Sequence, residues 1–224
     1  MADRLGFWEL SVQVVIPQLL VAVRWTLALT ICAAVLGTAL GLVIALMRIS
    51  RSRSLRALAT GYVTLLRGTP LMLQLLFIYY GLPQIDPRLT FDPFPAAVIG
   101  MGLNSGAYIA EIIRAAIQSI DKGQMEAARS LGLSYGQAMR FVILPQTYRR
   151  LIPPMVNELV ALSKDTAQAM VIGLEELLRT GSHLASRFAR PGPAYLWTAV
   201  FYLGITVVLS AVATHLEQKL EAKE

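Results

Sequence analysis

Glu158 is a carboxylate set in a long apolar run that also holds Asn157, Lys164 and Asp165. A charge at mid-membrane costs about 3 kcal/mol, so such groups face protein or water and often mark a solute path. Glu158 has two readings: an ion pair with an arginine of a neighbouring helix, or an anion lining a cavity. Lys164 and Asp165 are adjacent, point to different sides of a helix and need different partners. They read as structural or gating groups. Glu111 and Arg114 are three apart and can pair on one helix face. Thr69 and Asn104 can orient a zwitterionic ligand, and Ser105 and Asn157 join them and Glu158 as candidate pathway residues. Arg67 and Pro70 place a charge and a helix breaker in one tetrapeptide, Arg67-Gly68-Thr69-Pro70. Proline removes an intrahelical bond, so carbonyls nearby need other partners. No catalytic or metal-ligating set is assigned. The four lysines (Lys122, Lys164, Lys219, Lys223) include no GK[ST] phosphate loop, so an ATPase activity is not expected of this chain.

These groups must be held by membrane helices. The 224 residues are 55% hydrophobic, with mean hydropathy +0.57, too apolar for an ordinary soluble domain. The expectation is an all-α, polytopic protein: one transmembrane domain over 1–224, with five spans and no separate soluble domain. Leu27 to Met47 is 21 residues without a charge, enough to cross the hydrocarbon core. The spans are placed at about 19–47, 61–82, 96–117, 151–174 and 195–216. Gly37 and Gly41 form a GxxxG that permits close helix packing. The first and last spans are almost purely apolar and can face lipid. Phe7, Trp8 and Pro17 suit a short interfacial helix before the first span. Residues 175–194 read as an outer loop. The first apolar run starts late and is too long for a cleavable signal, so none is expected. Cys32 is read as a small packing residue.

The net charge of +6 is read through the positive-inside rule rather than as a nucleic-acid footprint. With the N-terminus outside and the C-terminus inside, twelve Lys and Arg fall inside and five outside. Arg48, Arg51, Arg53 and Arg56 mark one inside loop.

Between the third and fourth spans lies 121–145, DKGQMEAARSLGLSYGQAMRFVILP. Asp121 can cap a helix, with Gln124 reaching back in a capping box. Gly132 suits a left-handed C-terminal position. Ser134 can cap a second helix, with Gln137 three residues on, and Pro145 is expected to stop it. Two short helices joined at a glycine therefore form a partly apolar knob on the inside.

Glu126-Ala127-Ala128, Gly132 and Val142-x-Leu144-Pro145, at this spacing, resemble the EAA loop of the membrane-spanning subunits of ABC importers. The departure is Val142, where that pattern usually has Ile. In that family the loop is the coupling helix that docks on the ATPase subunit. Arg67-Gly68-Thr69-Pro70, Asn104 to Arg114, Ile143 to Arg149 and Lys164-Asp165-Thr166 look like the polar amino-acid permease branch, and the similarity runs from about residue 20 to 215. The resemblance implies a second permease subunit, the same chain or a different one. It also implies two ATPase subunits carrying the ATP and Mg, an extracytoplasmic substrate-binding protein and a bacterial cytoplasmic (inner) membrane. It implies substrate contacts at Thr69, Asn104 and Glu158. The alternative from the charges alone is an ion-gradient-driven carrier with Glu158, Lys164 and Asp165 as its relay.

Overall fold

The apolar stretch around Leu27 to Met47 belongs to one continuous helix, α1 (Phe7–Ile49). The structure, a computed structural model, describes residues 6–221, the side chains of 213 and 216–221 excepted. Expectations for residues 1–5 and for the charged end of the tail lie outside the described residues. After α1 come α2 (Arg53–Arg67), α3 (Leu71–Ile85), α4 (Pro93–Gln118), α5 (Lys122–Ser130), α6 (Tyr135–Ala138), α7 (Leu144–Asp165), α8 (Leu177–Phe188) and α9 (Pro191–Glu221). The described residues contain no strand. Three helices, α1, α4 and α9, are long and apolar enough to cross a membrane; the count rises to four if the bent pair α2–α3 is one span.

Pro17 does not separate an interfacial helix from the first span. It follows a wide turn at Ser11–Val15, and the helix runs on through it. A widened turn leaves a carbonyl without its usual donor, so a proline's missing N–H costs little there.

Nor is α1 a lipid-facing bystander. Leu19, Ala22, Thr26, Leu29, Ala33, Gly37, Gly41 and Ala45 recur at helical spacing and are buried. From Leu29 to Ala45 the stripe runs along α4, the most extensive helix pairing in the chain, while Leu19 and Ala22 pack with α8 and α9. The GxxxG is used here. A Cβ on Gly41 would lie 2.6 Å from Ile109 Cγ2 and 3.0 Å from the Gly106 carbonyl oxygen. On α4, Gly102 and Gly106 meet Leu36 and Leu40 in the same way. Backbones this close need small residues at the crossing. Gly41→Val is expected to destabilise the fold by about 1–3 kcal/mol through overpacking. A lower midpoint of thermal unfolding in detergent would register it; an unchanged midpoint would mean that the helices do not cross this closely. α9 keeps its expected exposure in the isolated chain, with Leu203 and Val208 both 62% exposed.

Where the sequence points to a single span over 61–82, the chain forms two helices bent by 101°. The bend falls at Gly68 to Pro70. Pro70 has extended backbone and begins α3 instead of continuing α2. The span expected over 151–174 also differs. α7 starts at Leu144 with Pro145 in its first turn, ends at Asp165, and passes into a tight helical segment at Thr166–Ile172.

The loop expected over 175–194 is largely α8. Leu177, Gly181, Leu184 and Ala185 are buried at helical spacing, a pattern masked by the polar residues and prolines around it. Glu176, fully buried, caps α8 by accepting from Leu178 N at 2.8 Å and Arg179 N at 2.7 Å. Tyr202 Oη on α9 donates to the same carboxylate at 2.6 Å. Thr26 of α1 accepts from Leu177 N at 3.2 Å. A buried carboxylate is tolerable because its oxygens are satisfied by N–H and O–H donors.

Candidate functional site

The polar groups of the interior meet around the bend between α2 and α3. Breaking the helix frees the Leu65 and Leu66 carbonyls, and both find side-chain donors. Thr69 Oγ1 donates to Leu65 O at 2.9 Å. Gln74 Nε2 donates to Leu66 O at 2.8 Å and to Thr69 Oγ1 at 2.9 Å. Asn104 Nδ2, from α4, reaches Leu66 O at 3.2 Å and Gln74 Oε1 at 3.0 Å. Thr69 and Asn104 are thus linked through Gln74, and in this conformation their groups stabilise the bend. Gln74 was not singled out from the sequence, although a lone amide four residues beyond Pro70 in an apolar run was the available signal.

One residue along α4, buried Ser105 donates to Glu158 Oε1 of α7 at 2.9 Å. This joins two predicted pathway residues from separate helices. The carboxylate meets a hydroxyl here, where an arginine was one expectation. Asn157, the neighbour of Glu158 on α7, is exposed at the surface of the single chain. Asp165 accepts from Gln168 Nε2 at 3.2 Å and is half-buried, whereas Lys164 is exposed. The two diverge as their adjacency requires.

Glu111 has more partners than the expected Arg114. Arg114 Nη2 lies 2.7 Å from Glu111 Oε2. Arg48, at the end of α1, also bonds to Glu111 Oε1, and Arg67 Nη1 lies 3.9 Å from Oε2. Arg67 further covers the Tyr108 ring, its guanidinium carbon 4.9 Å from the centroid. Arg48, read from the sequence only as a topology signal, is therefore also a structural partner. One carboxylate ties the ends of α1 and α2 to α4.

Outside this cluster stands the 121–145 loop. Asp121 Oδ1 accepts from Gly123 N at 2.6 Å and caps α5. Gln124 does not complete a capping box there; its Oε1 accepts from Gln146 Nε2 at 3.3 Å. Just past the end of α5, Gly132 turns left-handed with φ +89°. Gly132 N donates to Arg129 O at 3.0 Å and Leu133 N to Ala128 O at 3.2 Å, the paired bonds of a Schellman ending. Ser134 and Gln137 form the expected capping box, with bonds of 2.8 and 3.3 Å. Pro145 does not stop the second helix; a wide turn at Met139–Ile143 carries it into α7. Ala128 is buried, while Glu126, Ala127, Leu144 and Pro145 are exposed. Leu131 is 85% exposed, Phe141 62% and Tyr135 50%, so the knob presents large apolar side chains outward.

The family model for the inner membrane component of binding-protein-dependent transport systems matches residues 37–222. The chain belongs to this family. The arginine transport system permease protein ArtQ of Bacillus subtilis (strain 168) is 39% identical over 210 residues, covering 93% of this chain and 95% of that protein. The glutamine transport system permease protein GlnP of Escherichia coli (strain K12) is also 39% identical, over 206 residues, 92% of this chain and 94% of that protein. Among solved structures, a chain from the crystal structure of an amino acid ABC transporter with histidines superposes with a TM-score of 0.89. It is 38% identical, with 96% of this chain and 99% of that chain covered. This member of the family offers two distinct features: a polar cluster where α2, α3, α4 and α7 meet, and an exposed apolar knob.

Proposed function

We propose that this chain is the permease subunit of an ATP-driven importer that carries a polar amino acid delivered by an external binding protein. The observation that carries the reading is the knob. It is held by a Schellman ending and a capping box, yet it turns Leu131, Tyr135 and Phe141 to solvent. Local bonds satisfy its backbone and leave its apolar surface for a partner. That partner is one of two ATPase subunits, which hold the ATP and Mg. Glu126, Ala127, Ala128, Gly132, Leu144 and Pro145 form the coupling surface. A second permease chain, identical or different, completes the pathway.

In this reading the chain sits in a bacterial inner membrane as a single transmembrane domain with five spans: α1, α2 with α3, α4, α7 and α9. The N-terminus lies outside and the C-terminus inside, which puts the arginines of the α1–α2 connection and the knob on the cytoplasmic side. Thr69, Asn104, Ser105, Asn157 and Glu158 line the solute path. Arg67, Pro70, Glu111, Arg114, Lys164 and Asp165 hold its shape. ArtQ and GlnP carry the names of two different amino acids, and the Ser105–Glu158 pair suits the ammonium group that every amino acid shares.

Purification from the native membrane in mild detergent should bring an ATP-hydrolysing subunit along. In liposomes, the complex should then accumulate amino acid with ATP on the knob side and no ion gradient. Uptake that follows an ion gradient and ignores ATP would point instead to a carrier using Glu158 and Asp165. Glu158→Gln is expected to cut uptake roughly ten- to hundredfold, the value of a charge-assisted hydrogen bond, with complex yield unchanged. Wild-type uptake by that variant would remove Glu158 from the path.

A further inference from the structure

Arg53, Arg56, Thr60, Thr64 and Arg67 recur at intervals of three and four along α2, so they form one stripe. All five are exposed in the single chain. The same helix buries Ala59 and Val63 on a second face. On a third it exposes Leu58 (67%) and Leu65 (64%). Between Glu9 and Asp86 the chain has no acidic residue, so the segment itself offers Arg53 and Arg56 no counter-charge, while Arg67 has Glu111 of α4 at 3.9 Å.

The C-terminal end of α2 lies beside the middle of α4. Tyr62 Oη donates to Leu103 O at 2.7 Å, and Leu103 is near the middle of the 26-residue, membrane-length α4. The stripe spans fourteen residue steps from Arg53 to Arg67, about 21 Å at 1.5 Å per residue. The hydrocarbon core is about 30 Å thick. Such a row of three guanidiniums and two hydroxyls cannot face the lipid tails; it must face protein or water. Its inner end continues into the polar cluster, because Arg67 lies over Tyr108 and Leu66 O accepts from Asn104.

We propose that this stripe is the wall of the cytoplasmic half of the solute path, and that its positive field makes the path favour carboxylate-bearing solutes. The inference rests on the transport reading above and deepens it by naming a specificity determinant outside the Ser105–Glu158 pair. A positively lined cleft with apolar walls raises the local concentration of anions and repels cations. The carboxylate of an amino acid would be drawn along it from Arg67 to Arg53. The leucine face of α2 is left for lipid.

The test uses the complete complex in inside-out vesicles, with Cys32→Ala as background. Thr60→Cys, Thr64→Cys, Leu58→Cys and Leu65→Cys are each exposed to an anionic (sulfonatoethyl) and a cationic (trimethylammonioethyl) methanethiosulfonate. The threonine positions should react, with the anionic reagent favoured, and the leucine positions should stay unmodified. Adding Arg56→Gln should lower the anionic-to-cationic rate ratio at position 60 about three- to tenfold. Inert threonine positions would overturn the proposal and assign the stripe to contact with the second permease chain. Reactive threonines with no charge preference would overturn the field. Labelling needs no transport, so a failure of ATP-driven uptake is read separately.

Discussion

Gly132→Val is expected to leave ATP hydrolysis running while uptake per ATP falls at least tenfold. Gly132 holds φ at +89°, where a side chain costs about 1–2 kcal/mol. A Cβ there would meet nothing within 4 Å, so the effect is not a clash inside this chain. The strain acts on the two bonds that end α5, Gly132 N to Arg129 O and Leu133 N to Ala128 O. Losing them re-aims Leu131 and the start of α6, the surface on which the ATPase would push. A β-branched residue suits the left-handed region least, whereas asparagine tolerates it, so Gly132→Asn should recover much of the coupling. The measurement is uptake and phosphate release from the same liposomes. Wild-type coupling in the valine variant would count heavily against the knob as the point of energy input.

Glu111→Gln is expected to be the most damaging single change in the membrane interior. Its carboxylate faces Arg48, Arg67 and Arg114, and its side chain is only 17% exposed. Removing the shared member of a part-buried ion cluster costs about 1–3 kcal/mol, because the remaining charges are left uncompensated. Here three guanidiniums would be left around a neutral amide. The expected readout is a large drop in the thermal midpoint of the purified complex, or loss of the complex from the membrane. Glu111→Gln combined with Arg114→Gln should be more stable than Glu111→Gln alone, since one unpaired cation is removed with its partner. A double variant no better than the single would mean that Glu111 acts by shape and not by charge.

The knob was legible in the sequence because its bonds are local. Asp121 to Gly123, Ser134 with Gln137 and the glycine ending all join residues within about five positions, so residue type and spacing state the outcome. The helical class and the membrane setting were legible for the same reason: apolar runs and charge placement are properties of segments. The tetrapeptide Arg67 to Pro70 announced a break, but not its 101° angle, nor that Gln74 and Asn104 would supply the donors. Those follow from how α2, α3 and α4 pack. Only tertiary structure decided that Glu158 meets Ser105, 53 residues away, that Glu111 meets Arg48, 63 away, and that Thr26 holds the start of α8, 151 away. Such pairs are set by helix crossings, and the main crossing depends on Gly37 and Gly41 fitting against Gly102 and Gly106. The chain spells out the glycines; which backbones they bring together is a property of the packed bundle.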